Sequence, residues 1–170
     1  MNLQAYIRDI HDFPKEGILF KDITPLLADP AALREAIQQL ADRFRNSEAT
    51  KILGAEARGF IFGAALACEM GIGFVPIRKP GKLPHENISV TYDLEYGTDT
   101  LCMHKDALSP GEKVLIVDDV LATGGTIGGV LQLVEKSGAI VAGIGFLLEL
   151  TFLNGRSQLD GHRMESLISF

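Results

Sequence analysis

Cysteine is scarce in this chain. Only Cys68 and Cys102 occur, with no Cys-x-x-Cys spacing and no histidine at ligand spacing. Both lie in apolar stretches, so they read as buried, reduced thiols of a cytosolic protein. The four histidines, His11, His85, His104 and His162, form no pair at metal-ligand spacing, which argues against protein-held zinc. Long apolar runs are missing too. Nothing approaches the roughly 20 residues a membrane helix needs, and MNLQAYIRDI has no signal-peptide character, so the expected location is cytoplasmic. Positive charge is in deficit: 16 Lys and Arg stand against 22 Asp and Glu, a net charge of −6. Bulk electrostatics therefore argue against duplex nucleic acid or an anionic membrane as partner. An anionic ligand has to be held by a local basic cluster. Internal repeats and low-complexity tracts are also absent.

What remains is an ordinary globular composition, 46 % hydrophobic and 22 % charged, in 170 residues. That length suits one domain, 1–170, with one core. The first ten residues suit a short helix, followed by turn chemistry at Phe13-Pro14-Lys15-Glu16-Gly17. Asp29-Pro30 opens a clear helix: the carboxylate suits the N-cap and the proline suits the first turn. Leu33, Ile37, Leu40, Ala41 and Phe44 then recur at helical spacing. Lys51–Ala55 reads as a buried strand, Gly59–Met70 as a helix ended by Gly71, and Phe74–Ile77 as a strand. Residues 78–87 read as a basic loop, with strands at Ile88–Tyr92 and Thr100–Met103 beyond it. Val114–Val117 is a continuous aliphatic run, as in a strand buried on both faces. A helical face at Ile127, Val130, Leu131 and Val134 precedes a last strand at Ile140–Leu150. Strands alternating with helices predict an α/β fold with a mostly parallel central sheet flanked by helices, and ligands beyond the C-terminal ends of its strands.

Chemistry concentrates in VLIVDDVLATGGT, Val114–Thr126. The aliphatic residues deliver Asp118 and Asp119 to a strand end, and a helix starts just after Ala122-Thr123-Gly124-Gly125-Thr126. Small residues admit a phosphate close to the backbone. Free N–H groups at a helix start bind an anion without a positive side chain, and Thr123 and Thr126 add hydroxyl donors. The two carboxylates suit sugar hydroxyls or metal-bound water. Alone, the two acids read more readily as a solvated turn and Gly-Gly as a bend; their order between a buried strand and an amphipathic helix points to a sugar-phosphate site.

This segment resembles the signature of the type I phosphoribosyltransferases, which bind 5-phosphoribosyl-1-pyrophosphate. Three more segments resemble the adenine-specific branch of that family: Phe13–Pro25, Gly54-Ala55-Glu56-Ala57-Arg58-Gly59-Phe60, and Ile77–Pro84 continued by Tyr92–Gly97. The resemblance runs from about residue 6 to residue 150; the tail carries no motif. It implies a small N-terminal base-binding hood, about 1–28, and a flexible catalytic loop, about 79–96. It implies that Phe20 stacks on the purine and that the backbone of Leu19 reads the adenine edge. Taken alone, Phe20 reads more readily as core. Lys21 stands where other members carry Arg and lacks the planar fork. Arg58, which alone reads equally as a surface charge, becomes a pyrophosphate ligand and catalytic group, joined by Arg78, Lys79 and Lys82. Glu95 becomes the acid–base group near purine N7, with Tyr96 beside it in the substrate-binding set. Mg²⁺ is implied as cofactor through substrate and water near Asp118 and Asp119, with no direct protein ligand. The products are AMP and pyrophosphate, and the expected assembly is a homodimer.

Two alternatives stand beside this reading. A 6-oxopurine phosphoribosyltransferase is the nearer one, and the GAEARGF and LEYG segments argue against it. A non-catalytic sensor of phosphoribosyl pyrophosphate needs a DNA-binding module or a basic surface, which a short acidic chain does not offer.

Overall fold

The structure is a computed structural model and describes residues 1–93 and 97–170. Its frame is a five-stranded, wholly parallel sheet in the order β4-β3-β7-β8-β9. These strands are β3 (Lys51–Ala55), β4 (Gly73–Ile77), β7 (Lys113–Leu121), β8 (Ile140–Glu149) and β9 (Met164–Ser169). The central strand β7 explains the layering. Its side chains alternate, so Val114 and Ile116 join the core on one face while Leu115 and Val117 join the core on the other. Helices α2 (Pro30–Phe44) and α3 (Gly59–Met70) cover the second face. Helix α4 (Gly125–Ser137) covers the first, together with an antiparallel pair, β5 (Asn87–Asp93) and β6 (Thr98–His104).

Asp29 caps α2 as expected, accepting from the backbone N–H groups of Ala31 and Ala32. Three expectations change. The N-terminal helix is only a 3₁₀ turn, Leu3–Tyr6; Arg8–His11 instead forms β1, paired antiparallel with β2 (Leu19–Asp22). Pairing satisfies backbone groups that a four-residue helix leaves mostly open. A short helix α1, Thr24–Ala28, follows β2. Strand β7 does not stop before the two aspartates but runs on to Leu121, opposite Glu149 of β8. Cys68 is exposed and only Cys102 is buried, because Cys68 falls on the solvent side of α3. The tail, without a motif in sequence, adds two 3₁₀ turns, Thr151–Leu153 and Gly155–Leu159, before β9 closes the sheet. No helix among the described residues is long and apolar enough to cross a membrane.

Candidate active site

Parallel strands place their C-terminal ends along one edge, and β4, β3 and β7 are neighbours. The chain leaving β3 carries Glu56 and Arg58, that leaving β4 carries Arg78, Lys79 and Lys82, and that leaving β7 carries Ala122–Thr126. Three segments far apart in sequence thus converge because of strand order alone.

Asp119 is 4 % exposed, and its Oδ2 is buried without a hydrogen-bond donor. Arg58 Nε lies 2.7 Å from that oxygen, an ion pair without a directed hydrogen bond. Asp118 Oδ1 accepts from the Asp119 N–H at 2.9 Å. Burial pushes the Asp118 carboxyl well above the usual carboxylate range, and the charge of Asp119 pushes it further. Burial also raises Asp119, against an opposing pull from Arg58. Two adjacent desolvated carboxylates, one of them paired only with a half-exposed Arg58, are costly without a ligand and suited to sugar hydroxyls.

Loop 122–126 forms a small cavity of about 80 Å³, lined by Asp118 and residues 120–127. Gly124, at φ +90°, makes the turn that a side chain would strain, and no side chain caps the start of α4. The first amides of the helix are therefore left for an anion, with the helix dipole behind them.

On the other side of Arg58 lies Phe20, whose ring centroid is 5.5 Å from the guanidinium carbon. Phe13 meets the same ring edge-on at 5.2 Å. Phe20 is half-buried and Leu19 is 40 % exposed, so a face of the hairpin is left open. Phe20, Arg58 and Asp119 form one continuous line of contacts. Lys21, one residue on, points to the opposite side: its Nζ pairs with Asp9 at 2.7 Å and sits over the Phe170 ring. Its contacts do not reach Arg58, Asp118 or the loop 122–126.

Every cation of the basic cluster has an internal carboxylate partner. Glu56 receives Arg78 at 3.3 Å, Lys82 at 3.5 Å, and the Lys79 backbone N–H. Burial raises its carboxyl, but the Lys79 amide and the charges of Lys82 and Arg78 outweigh that and hold it below the ordinary range. The Lys79 ammonium pairs with Asp99, which also accepts from the Tyr92 hydroxyl at 3.3 Å. The Arg78 Nε is buried without a partner. Sequence reasoning named the Glu56 segment without giving Glu56 this role, and it missed Asp99; an acid near a basic loop carries no directional signal in sequence. Glu95 and Tyr96 lie outside the described residues.

A family model described as the phosphoribosyl transferase domain matches residues 22–160. A protein of Solidesulfovibrio magneticus named adenine phosphoribosyltransferase is 65 % identical over 168 residues, covering 99 % of this chain and 98 % of that protein. The crystal structure of adenine phosphoribosyltransferase from Thermoanaerobacter pseudethanolicus superposes with a TM-score of 0.96 at 56 % identity, covering 99 % and 98 % of the two chains. The Saccharomyces cerevisiae enzyme, complexed with an imino-altritol bisphosphate and adenine, gives a TM-score of 0.91 at 40 % identity, covering 97 % and 96 %. With the strand-edge site and these likenesses in agreement, this chain belongs to the adenine phosphoribosyltransferase family.

Proposed function

We propose that this chain transfers the phosphoribosyl group of 5-phosphoribosyl-1-pyrophosphate to adenine, giving AMP and pyrophosphate. The observation that carries the reading is the Phe20–Arg58–Asp119 line, which joins an aromatic platform to the carboxylates beside the phosphate loop. Phe20 stacks on the purine, and the Leu19 backbone presents a donor and acceptor to the adenine edge. The 6-oxo group of hypoxanthine meets the wrong partner there, which is costly in a dry pocket. Asp118 and Asp119 take ribose hydroxyls, and Ala122, Thr123, Gly124, Gly125 and Thr126 cradle the 5-phosphate. Arg58, Arg78, Lys79 and Lys82 exchange their internal carboxylates for the pyrophosphate and stabilise it as it leaves.

Purine N9 attacks the anomeric carbon as the bond from that carbon to the pyrophosphate oxygen breaks, so the protein supplies no nucleophile. It aligns the two reactants and excludes water. The hood, about 1–28, closes on the base, and of the catalytic loop, about 79–96, the basic stretch ahead of β5 closes on the sugar. Glu95 is assigned the proton at N7, with Tyr96 beside it. Mg²⁺ fits this donor set. The Asp118–Asp119 pair offers hard oxygens that would hold the ion through water and substrate. The ion supplies charge neutralisation at the pyrophosphate. A homodimer would cover exposed apolar side chains such as Phe152 and Leu153, and a cytoplasmic location fits two unpaired cysteines.

Labelled adenine, hypoxanthine and guanine supplied singly, with and without Mg²⁺, test the reading. The expected result is Mg²⁺-dependent AMP from adenine, with the 6-oxopurines lower by about 10⁴-fold in kcat/KM. Pyrophosphate release driven by hypoxanthine or guanine and not by adenine would overturn the choice of base.

A further inference from the structure

The segment after β8 lies directly against the phosphate loop. A Cβ placed on Gly155 would sit 2.2 Å from the Ala122 carbonyl oxygen, and one on Gly124 would sit 2.8 Å from the Gly155 carbonyl oxygen. The contact is backbone on backbone, so neither side has a flexible group that yields. Next to it, Arg156 grips Glu149, the last residue of β8. Its Nε donates to both carboxylate oxygens at 2.8 and 2.9 Å, and its Nη2 to Oε2 at 2.7 Å. Ser166 of β9 donates to the same Oε2 at 2.9 Å and accepts from Nη2 at 3.2 Å. Nη1 reaches the Met164 carbonyl at 3.4 Å. Glu149 stands opposite Leu121 in the sheet register, one residue before Ala122.

We infer that Arg156 is a positioning residue for the sugar-phosphate site: clamped to Glu149 and Ser166, it holds Gly155 under Ala122 and Gly124 and fixes the geometry of the loop that receives the 5-phosphate. This rests on reading 122–126 as the phosphate cradle. Arg156 acts through Gly155 and not on the phosphate: its hydrogen bonds run to Glu149, Met164 and Ser166, away from residues 122–126. The Glu149 side chain is only 7 % exposed, so the pair is a directed, partly desolvated fork and not a loose surface contact. The Arg156 hydrogen bonds, the largest influence on it, hold the Glu149 carboxyl below its ordinary range. Amide donors act only when aimed, and small misplacements of such groups are costly to substrate positioning.

Steady-state kinetics test this, varying phosphoribosyl pyrophosphate at saturating adenine and then the reverse. The variants are Arg156→Ala, Arg156→Lys and Gly155→Ala, with Thr123→Ala as a variant of the cradle itself. The expected result is a KM for phosphoribosyl pyrophosphate raised about tenfold in Arg156→Ala and Gly155→Ala, with kcat and the adenine KM within about twofold. Arg156→Lys should fall between these and the parent. Should Arg156→Ala not fold, Gly155→Ala and Arg156→Lys carry the same comparison. Unchanged KM in Gly155→Ala and the Arg156 variants, or activity lost only in proportion to folded protein in a thermal melt, overturns the clamp. If Thr123→Ala raises that KM while the other variants do not, the clamp alone fails; if Thr123→Ala leaves it unchanged, the cradle reading fails with it.

Discussion

At the scale of single residues, the site is held together by charges that the fold alone would not choose. Asp118 and Asp119 are adjacent, desolvated, and both shifted upward. A carboxyl whose folded pKa is raised stabilises the fold only below its ordinary pKa; that contribution is lost as pH rises through the folded value. The pair therefore destabilises the substrate-free protein near neutrality. Asp119→Asn removes one charge and relieves its neighbour, and leaves behind an Arg58 that is 43 % exposed and easily solvated. In urea melts without added Mg²⁺, the variant should be more stable than the parent by about 1 kcal/mol at pH 7. The gain should vanish below about pH 4, where both carboxyls are protonated in either state. Its kcat/KM for phosphoribosyl pyrophosphate should fall about a hundredfold. A variant less stable at pH 7 with unchanged kinetics would make Asp119 a structural acid.

At the scale of elements, a capped and periodic helix was legible and the end of β7 was not. Asp29, Pro30 and the apolar spacing through Phe44 marked α2 because a cap and a 3.6-residue period are local signals. The end of β7 was not legible, since Asp118 and Asp119 look like strand breakers. What carries the strand through them is pairing with β8 up to Leu121–Glu149, a tertiary effect. Asp29→Ala separates stability from function. It removes a carboxylate that accepts two amides at 2.9 Å each, so a loss of about 1 kcal/mol is expected in chemical denaturation, with kcat/KM unchanged. Altered kinetics without lost stability would mean that α2 communicates with the site.

At the scale of the whole molecule, the fold class and the loop after β7 were legible because the sheet's period and the glycine-rich turn are written in consecutive residues. The partners of the basic cluster were not. Glu56, Arg78 and Lys82 meet because β3 and β4 are neighbours, and no spacing in the sequence reports that. The tail was opaque for the same reason: β9 is an edge strand with a mostly half-buried pattern, and Gly155 matters through a backbone contact. The central claim is that the base lies on the hairpin of Phe20 and the 5-phosphate on the start of α4, at the two ends of the Phe20–Arg58–Asp119 line. Amide chemical-shift mapping of the isotope-labelled protein during an AMP titration tests it most directly. Saturable shifts should concentrate at Ala122–Thr126 and at Leu19–Lys21, and inorganic phosphate alone should reproduce only the first set. Saturable AMP binding that leaves the amides of 122–126 unmoved would contradict it.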